Sequence, residues 1–466
     1  MDGLVLSLAL IVASAAAPAA SLKFHCDGAE SANAVYHLAC LAGHIPCTQD
    51  VFERFWHDTL QWTAADQREL DAWTTGLKKV ENAAGPPRAA PYVGNYRSFF
   101  PELDARLRIL RAAFESRSAS DFRRRTRQWL SANEAARLHE TIEYFRGRLE
   151  PWWEATGHKI VNSRVRRVEK TLRSDKIVAV TGRLSAFVEA DAPASDIYVH
   201  LIPSPEARFD VATGTFVSNH LFMEVTEAAT PDDLASVSLH EVTHYLYETA
   251  PADKRLDLMQ QFVRAEVPHA SAFYALLNEA LASATYGLLV ERSRTSNYRH
   301  TFISRLGRST VPVLQEALAK GTTLYQGFAE AYVREANREL GGDVTNPKFF
   351  LTSAAILPSD KAASAYQIFL REFEPVSVIK SDQWRLFPHL NLVFLVAYDE
   401  LRAFSTAFPD LASYTNRRGF AYMGSRDGQA SLCILAGADA EAIADVVRAF
   451  ANVKSVSSSG LQLAID

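Results

Sequence analysis

The sequence predicts an α+β protein. It is mainly helical, with a small, largely antiparallel sheet ahead of its central helices and a small α/β unit at the carboxy terminus. Three observations carry this. Apolar residues recur three or four apart through most of the first 157 residues. The period then shifts toward two, over a stretch rich in β-branched residues and turn signals. Finally, a well-marked helix start opens a second helical region.

In order along the chain, 1–20 reads as a secretory signal. Gly3 to Ala17 is a short apolar run, followed by Ala15-Ala16-Ala17-Pro18-Ala19-Ala20. Ala13-Ser14-Ala15 and Ala17-Pro18-Ala19 both fit an A-x-A-like cleavage site. The acidic start, Met1-Asp2, departs from the usual basic one, and an uncleaved anchor or a buried helix are the other readings. No second apolar stretch of about 18 residues follows, so no integral membrane span is expected after signal removal. The expected location is secreted or periplasmic.

Residues 21–157 form the expected helical amino-terminal region, with Val51, Phe52, Phe55 and Trp56 on one stripe and Leu103, Leu107 and Leu110 on another. Gly85-Pro86-Pro87-Arg88 marks a loop. The run Arg123-Arg124-Arg125-Thr126-Arg127 is flanked by Asp121 and Glu134 and reads as a solvated helix face. Cys26, Cys40 and Cys47 lie close together. In an oxidising compartment two of the three can pair, Cys40 and Cys47 closing a small loop around Gly43 and Pro46. Buried free thiols are a second reading and metal binding by the three a third, against which their spacings, not C-x-x-C, argue.

Residues 158–345 are the expected core. Ile177-Val178-Ala179-Val180 reads as a β-branched run, Ile197, Val199 and Leu201 alternate, Ala212-Thr213-Gly214 is a turn, and Thr215 to Val225 is the next strand. Thr230 is then a good N-cap, Pro231 suits the first helical position, and Asp233 closes a capping box; the helix should reach about Glu248. A second helix is expected from after Pro268 to about Glu291, a third around Val311 to Leu318, and a fourth from Gln326 to Leu340. In 346–466, Phe349 to Leu351 and Asn391 to Val396 are strand-like or buried. Ser431 to Leu435 is a strand candidate and Ala440 to Ala451 a helix.

The chain has 466 residues and a formal net charge of −5. No basic excess exists to drive counterion release, so general nucleic-acid binding is not expected. No Walker A, G-x-G-x-x-G or G-x-S-x-G pattern occurs, which leaves nucleotide enzymes and serine hydrolases of those types without support.

The pattern that carries chemistry is His240-Glu241-Val242-Thr243-His244. With 13 histidines in the chain, H-E-x-x-H should arise by chance about 0.02 times. On a helix, positions i and i+4 share a face, so both imidazoles can hold one Zn²⁺. Glu241 lies about 100° around the helix, where it can reach an attacking water as general base. A catalytic zinc needs a third protein ligand and an open position. Glu279, in Asn278-Glu279-Ala280-Leu281-Ala282, falls mid-helix among apolar residues, and a carboxylate there wants a partner. His269 and Glu248 are the alternatives.

These two motifs resemble the gluzincin group of zinc metallopeptidases. The resemblance implies that His240, His244 and Glu279 ligate zinc and that Glu241 is the base. It also implies a zincin-like core, with a sheet ahead of the first helix whose edge strand binds an extended peptide; Thr215 to Val225 is the candidate. Tyr247 and Ala250 exclude the metzincin continuation. Ser283 stands where thermolysin-like members carry an Asp that orients a ligand His. Tyr325, Tyr332 and His300 lie suitably downstream for an oxyanion stabiliser, but each reads better as structural. The expected function is a zinc-dependent hydrolase, a peptidase acting on peptide or protein substrates. A non-catalytic exported zinc protein and a zinc hydrolase of a non-peptide amide or ester are the alternatives.

Overall fold

The computed structural model describes residues 22–45, 47–84, 105–190, 196–205, 213–265, 267, 270–289, 301–352, 355–373, 377–378, 391–404, 408–426, 430–457 and 459–466. It is broadly α+β and mainly helical. The signal sequence expected over 1–20, the Gly85–Arg88 loop, His269 and His300 lie outside the described residues.

A four-stranded sheet contains β1 (Lys23–Asp27), β2 (Asp196–Pro203), β3 (Thr213–Val217) and β4 (His220–Val225), in the order β1-β2-β4-β3. It was expected to be largely antiparallel; instead β1 and β2 run parallel, as do β2 and β4, and only β3 pairs antiparallel, with β4. The parallel pairing arises because β1 arrives from some 170 residues upstream and β4 follows β2 through an intervening strand. The single strand expected over Thr215–Val225 is a hairpin. Val217 pairs with His220, and Ser218-Asn219 makes the two-residue turn, Ser218 with φ +59°.

The first helices are α1 (Glu30–Leu41), α2 (Gln49–Arg54), α3 (Ala64–Ala84), α4 (Ala105–Glu115), α5 (Ala119–Thr126) and α6 (Ala132–Trp152). The basic run lies at the end of α5, where Arg124 pairs with Asp121 and Arg125 with Glu115. Then come α7 (His158–Leu172) and α8 (Asp175–Phe187). Helix α8 corrects the β reading of Ile177–Val180. Ile177, Thr181, Leu184 and Phe187, three or four apart, are among its buried residues, with Ser185 beside Leu184. That stripe outweighs the β-branched propensity of a four-residue run.

The sheet lies between two apolar cores. Val199, Leu201, Leu221 and Met223 pack with the central helices, while Ile202, Val217 and Phe222 join the core of the amino-terminal helices. Buried Glu224 ties the two layers together. Its carboxylate accepts from the Tyr36 hydroxyl at 2.8 Å and the Thr48 amide at 2.9 Å, and from the Thr48 hydroxyl. Cys40 and Cys47 form a disulfide just ahead of Thr48, while Cys26 and Cys433 are free thiols.

The central helices are α9 (Pro231–Glu248), α10 (Ala252–Arg264), α11 (Ala270–Leu289), α12 (Thr301–Lys320) and α13 (Ala329–Leu340). The start of α9 is as expected. The Thr230 hydroxyl accepts from the Asp233 amide at 3.2 Å, and Asp233 accepts in return from the Thr230 amide at 3.1 Å.

Beyond these, Phe349 to Leu351 are buried in a short helix, α14 (Pro347–Thr352). A six-stranded mixed sheet follows, of β5 (Ala355–Pro358), β6 (Ser377–Val378), β7 (Leu392–Ala397), β8 (Gly419–Arg426), β9 (Ala430–Gly437) and β10 (Gly460–Ile465), in the order β10-β8-β9-β7-β5-β6. Helices α15 (Ala363–Phe373) and α16 (Ala440–Phe450) cover it through a core of Phe369, Leu395, Cys433, Ile443 and Val447. No helix among the described residues is long and apolar enough to cross a membrane.

Candidate metal centre

Helix α9 presents His240 and His244 one turn apart. Their rings stand at 87°, and their Nε2 atoms are 3.1 Å from each other. Helix α11 packs against α9. It can do so because Leu277, Ala280, Leu281 and Ala284 are small or apolar and fully buried. Glu279 projects from it to the same point, Oε2 lying 3.6 Å from His240 Nε2 and Oε1 3.6 Å from His244 Nε2.

The three donors lie within 4.8 Å of one another, and among the described residues theirs is the group of three or more that could hold a metal ion. A tetrahedral zinc with bonds of about 2.0–2.1 Å separates its ligands by roughly 3.4 Å. The imidazole nitrogens, 3.1 Å apart, and the nearer Glu279 oxygen to each, at 3.6 Å, lie within a few tenths of an ångström of that value. Two imidazoles and a carboxylate are also a donor set that suits zinc. The residues therefore fit such an ion.

A hydrogen-bonded chain stands behind His244. Its Nδ1 lies 2.9 Å from Asn278 Oδ1, the Asn278 amide nitrogen donates to Glu248 Oε1 at 3.1 Å, and Arg255 donates to Glu248 Oε2 at 2.9 Å. Glu248, an alternative ligand in the sequence, is thus engaged by Asn278 and Arg255. Asn278 and Arg255 were not singled out from the sequence. Asn278 stands beside Glu279 in a buried helix, where an amide needs partners; nothing local links Arg255 to Glu248 seven residues away across the α9–α10 turn.

Glu241 lies against the sheet. Its side chain packs on the backbone of Gly214 in β3, the antiparallel edge strand: a Cβ at 214 would lie 2.5 Å from Glu241 Cγ and 3.3 Å from Oε1. Gly214 was read from sequence only as part of a turn. Tyr325 and Tyr332 spend their hydroxyls elsewhere, on Val188 O at 3.2 Å and Phe273 O at 3.0 Å.

Burial sets the local electrostatics. It pushes the Glu241 carboxyl up to about 7, with the His240 imidazole opposing and the Glu279 charge adding to the rise. It pushes His244 down to about 4, against the attraction of Glu279. At His240 burial acts downward too, but the adjoining Glu279 carboxylate overrides it and the net shift is upward.

No protein-family model, curated protein or solved structure matches the chain.

Proposed function

We propose that this chain is a zinc-dependent peptidase of gluzincin type, with His240, His244 and Glu279 holding the ion and Glu241 as general base. The observation that carries the reading is the convergence of the three donors on one point, with Glu241 beside the two histidines on α9.

When bound, zinc supplies Lewis-acid polarisation and lowers the pKa of water toward about 7. Glu241 takes the proton of the attacking water on a carboxylate oxygen and passes it to the leaving amine. Burial raises this carboxyl above the usual carboxylate range in the metal-free chain, an environment that favours its holding a proton between the two halves of that task. Strand β3 supports a peptide substrate. It is the last strand of its sheet, paired only to β4 among the described residues, and Gly214 brings its backbone against Glu241. An extended peptide adding to that edge would run past the base. The Cys40–Cys47 disulfide favours a secreted or periplasmic location, since disulfides persist in oxidising compartments. Mass spectrometry of the mature amino terminus tests it, an intact Met1 in a cytoplasmic fraction counting against export.

The test of the activity is hydrolysis of a peptide library by the zinc-loaded protein and by Glu241→Gln. Cleavage by the wild type that falls at least 100-fold in the variant, at equal zinc content, supports the mechanism. Cleavage that survives the substitution removes it.

A further inference from the structure

We infer that Glu248 and Arg255 are positioning residues for His244: together they fix which way the Asn278 amide faces, and through it which nitrogen of His244 is left bare at the metal centre. The role in metal binding rests on the zinc reading above; the tautomer itself does not.

The argument is one of donors and acceptors. A guanidinium has only donors, and Arg255 is buried, 5% exposed, so it requires an ionised partner. Glu248, 4% exposed, supplies that charge through its 2.9 Å pair with Arg255; burial pushes its carboxyl up to about 7 against the Arg255 charge, so above that pH both its oxygens only accept. The group of Asn278 facing Glu248 must therefore be its NH₂, at 3.1 Å. The amide oxygen is left facing His244, so Nδ1 must carry the proton of the 2.9 Å bond. That leaves the lone pair on Nε2, the atom nearest His240 and Glu279. Without the charge at Glu248, Asn278 could turn over, its NH₂ would face Nδ1, and the proton would move to Nε2, where it blocks coordination.

A buried ion pair is an inefficient stabiliser; apolar residues of similar volume often do as well. What this pair supplies that apolar residues cannot is an acceptor-only surface against Asn278. The arrangement also spans three helices: Arg255 from α10, Glu248 and His244 from α9, Asn278 from α11. The tautomer thus reports on the packing of all three.

The experiment is nitrogen-15 NMR of histidine-labelled, metal-free protein at pH 7.5, with His244→Gln to assign the resonances, beside zinc affinity from chelator competition. Wild-type His244 should be the Nδ1–H tautomer; finding Nε2–H there overturns the proposal without any variant. In the Glu248→Gln/Arg255→Met double variant, Nε2–H should become populated and zinc affinity should fall roughly 10- to 100-fold. Adding Asn278→Asp, whose oxygens can only accept, should restore both. A double variant with unchanged tautomer and unchanged affinity overturns the proposal. A tautomer that shifts as expected in a protein that never binds zinc sustains the positioning role and defeats the zinc reading instead.

Discussion

The side chain of Glu241 rests directly on the backbone of Gly214, close enough that a single methyl group there would lie 2.5 Å from Cγ. Helix α9 and strand β3 therefore approach at this point only because residue 214 has no side chain. Gly214→Ala is expected to push the carboxylate aside while leaving the three donors in place. Peptide hydrolysis should fall roughly 10- to 100-fold, as for a reacting group displaced by about 1 Å, with zinc content unchanged. Equal loss of zinc and activity would mean the substitution disturbs the helix rather than the base.

Acid should weaken the fold through His37. This imidazole is fully buried in α1, and its Nδ1 accepts from the Trp56 indole at 3.0 Å. Burial pushes it from 6.5 down to about 3. Between those values the unfolded chain binds a proton that the folded one refuses, so stability falls with acidification from about pH 6.5 and the loss is complete near pH 3. From pH 6.5 to 5 the contribution is about 2 kcal/mol. Urea unfolding at pH 7 and pH 5 checks it. His37→Gln, which keeps an acceptor but no titration, should show a smaller pH dependence than wild type by about that amount.

The Cys40–Cys47 link closes a short loop whose far end is held by Thr48 on Glu224. Removing both sulfurs (Cys40→Ser/Cys47→Ser) should cost about 2–3 kcal/mol, the chain-entropy value for a loop of this size. The loss should appear in denaturant melts of oxidised protein and vanish when the wild type is reduced. A variant as stable as oxidised wild type would show that Glu224 alone holds the segment.

Much of the site could be read before the structure, because its signals are local. Thr230, Pro231 and Asp233 mark the start of α9, and the His240–His244 spacing marks its face. Glu279 stood out because a carboxylate amid Leu276, Leu277, Ala280 and Ala282 has no other reason to be there. What escaped was long-range. The four residues Ile177–Val180 suit a strand, and only the stripe reaching on to Thr181, Leu184 and Phe187 makes them helical. The parallel pairing of β1 with β2 joins residues some 170 apart and leaves no local trace. The role of Glu248 was hidden for the same reason. Four residues past His244 it shares the ligand face, and only the fold shows it turned toward Arg255 and Asn278.

The most direct test is a zinc titration of metal-stripped protein, read by elemental analysis after gel filtration, for the wild type and for His240→Ala, His244→Ala and Glu279→Ala. The account requires one zinc per wild-type chain and a loss of at least tenfold in affinity for each variant, because each removes one of three donors. A wild type that retains no zinc, or variants that hold it as well as the wild type does, would contradict it.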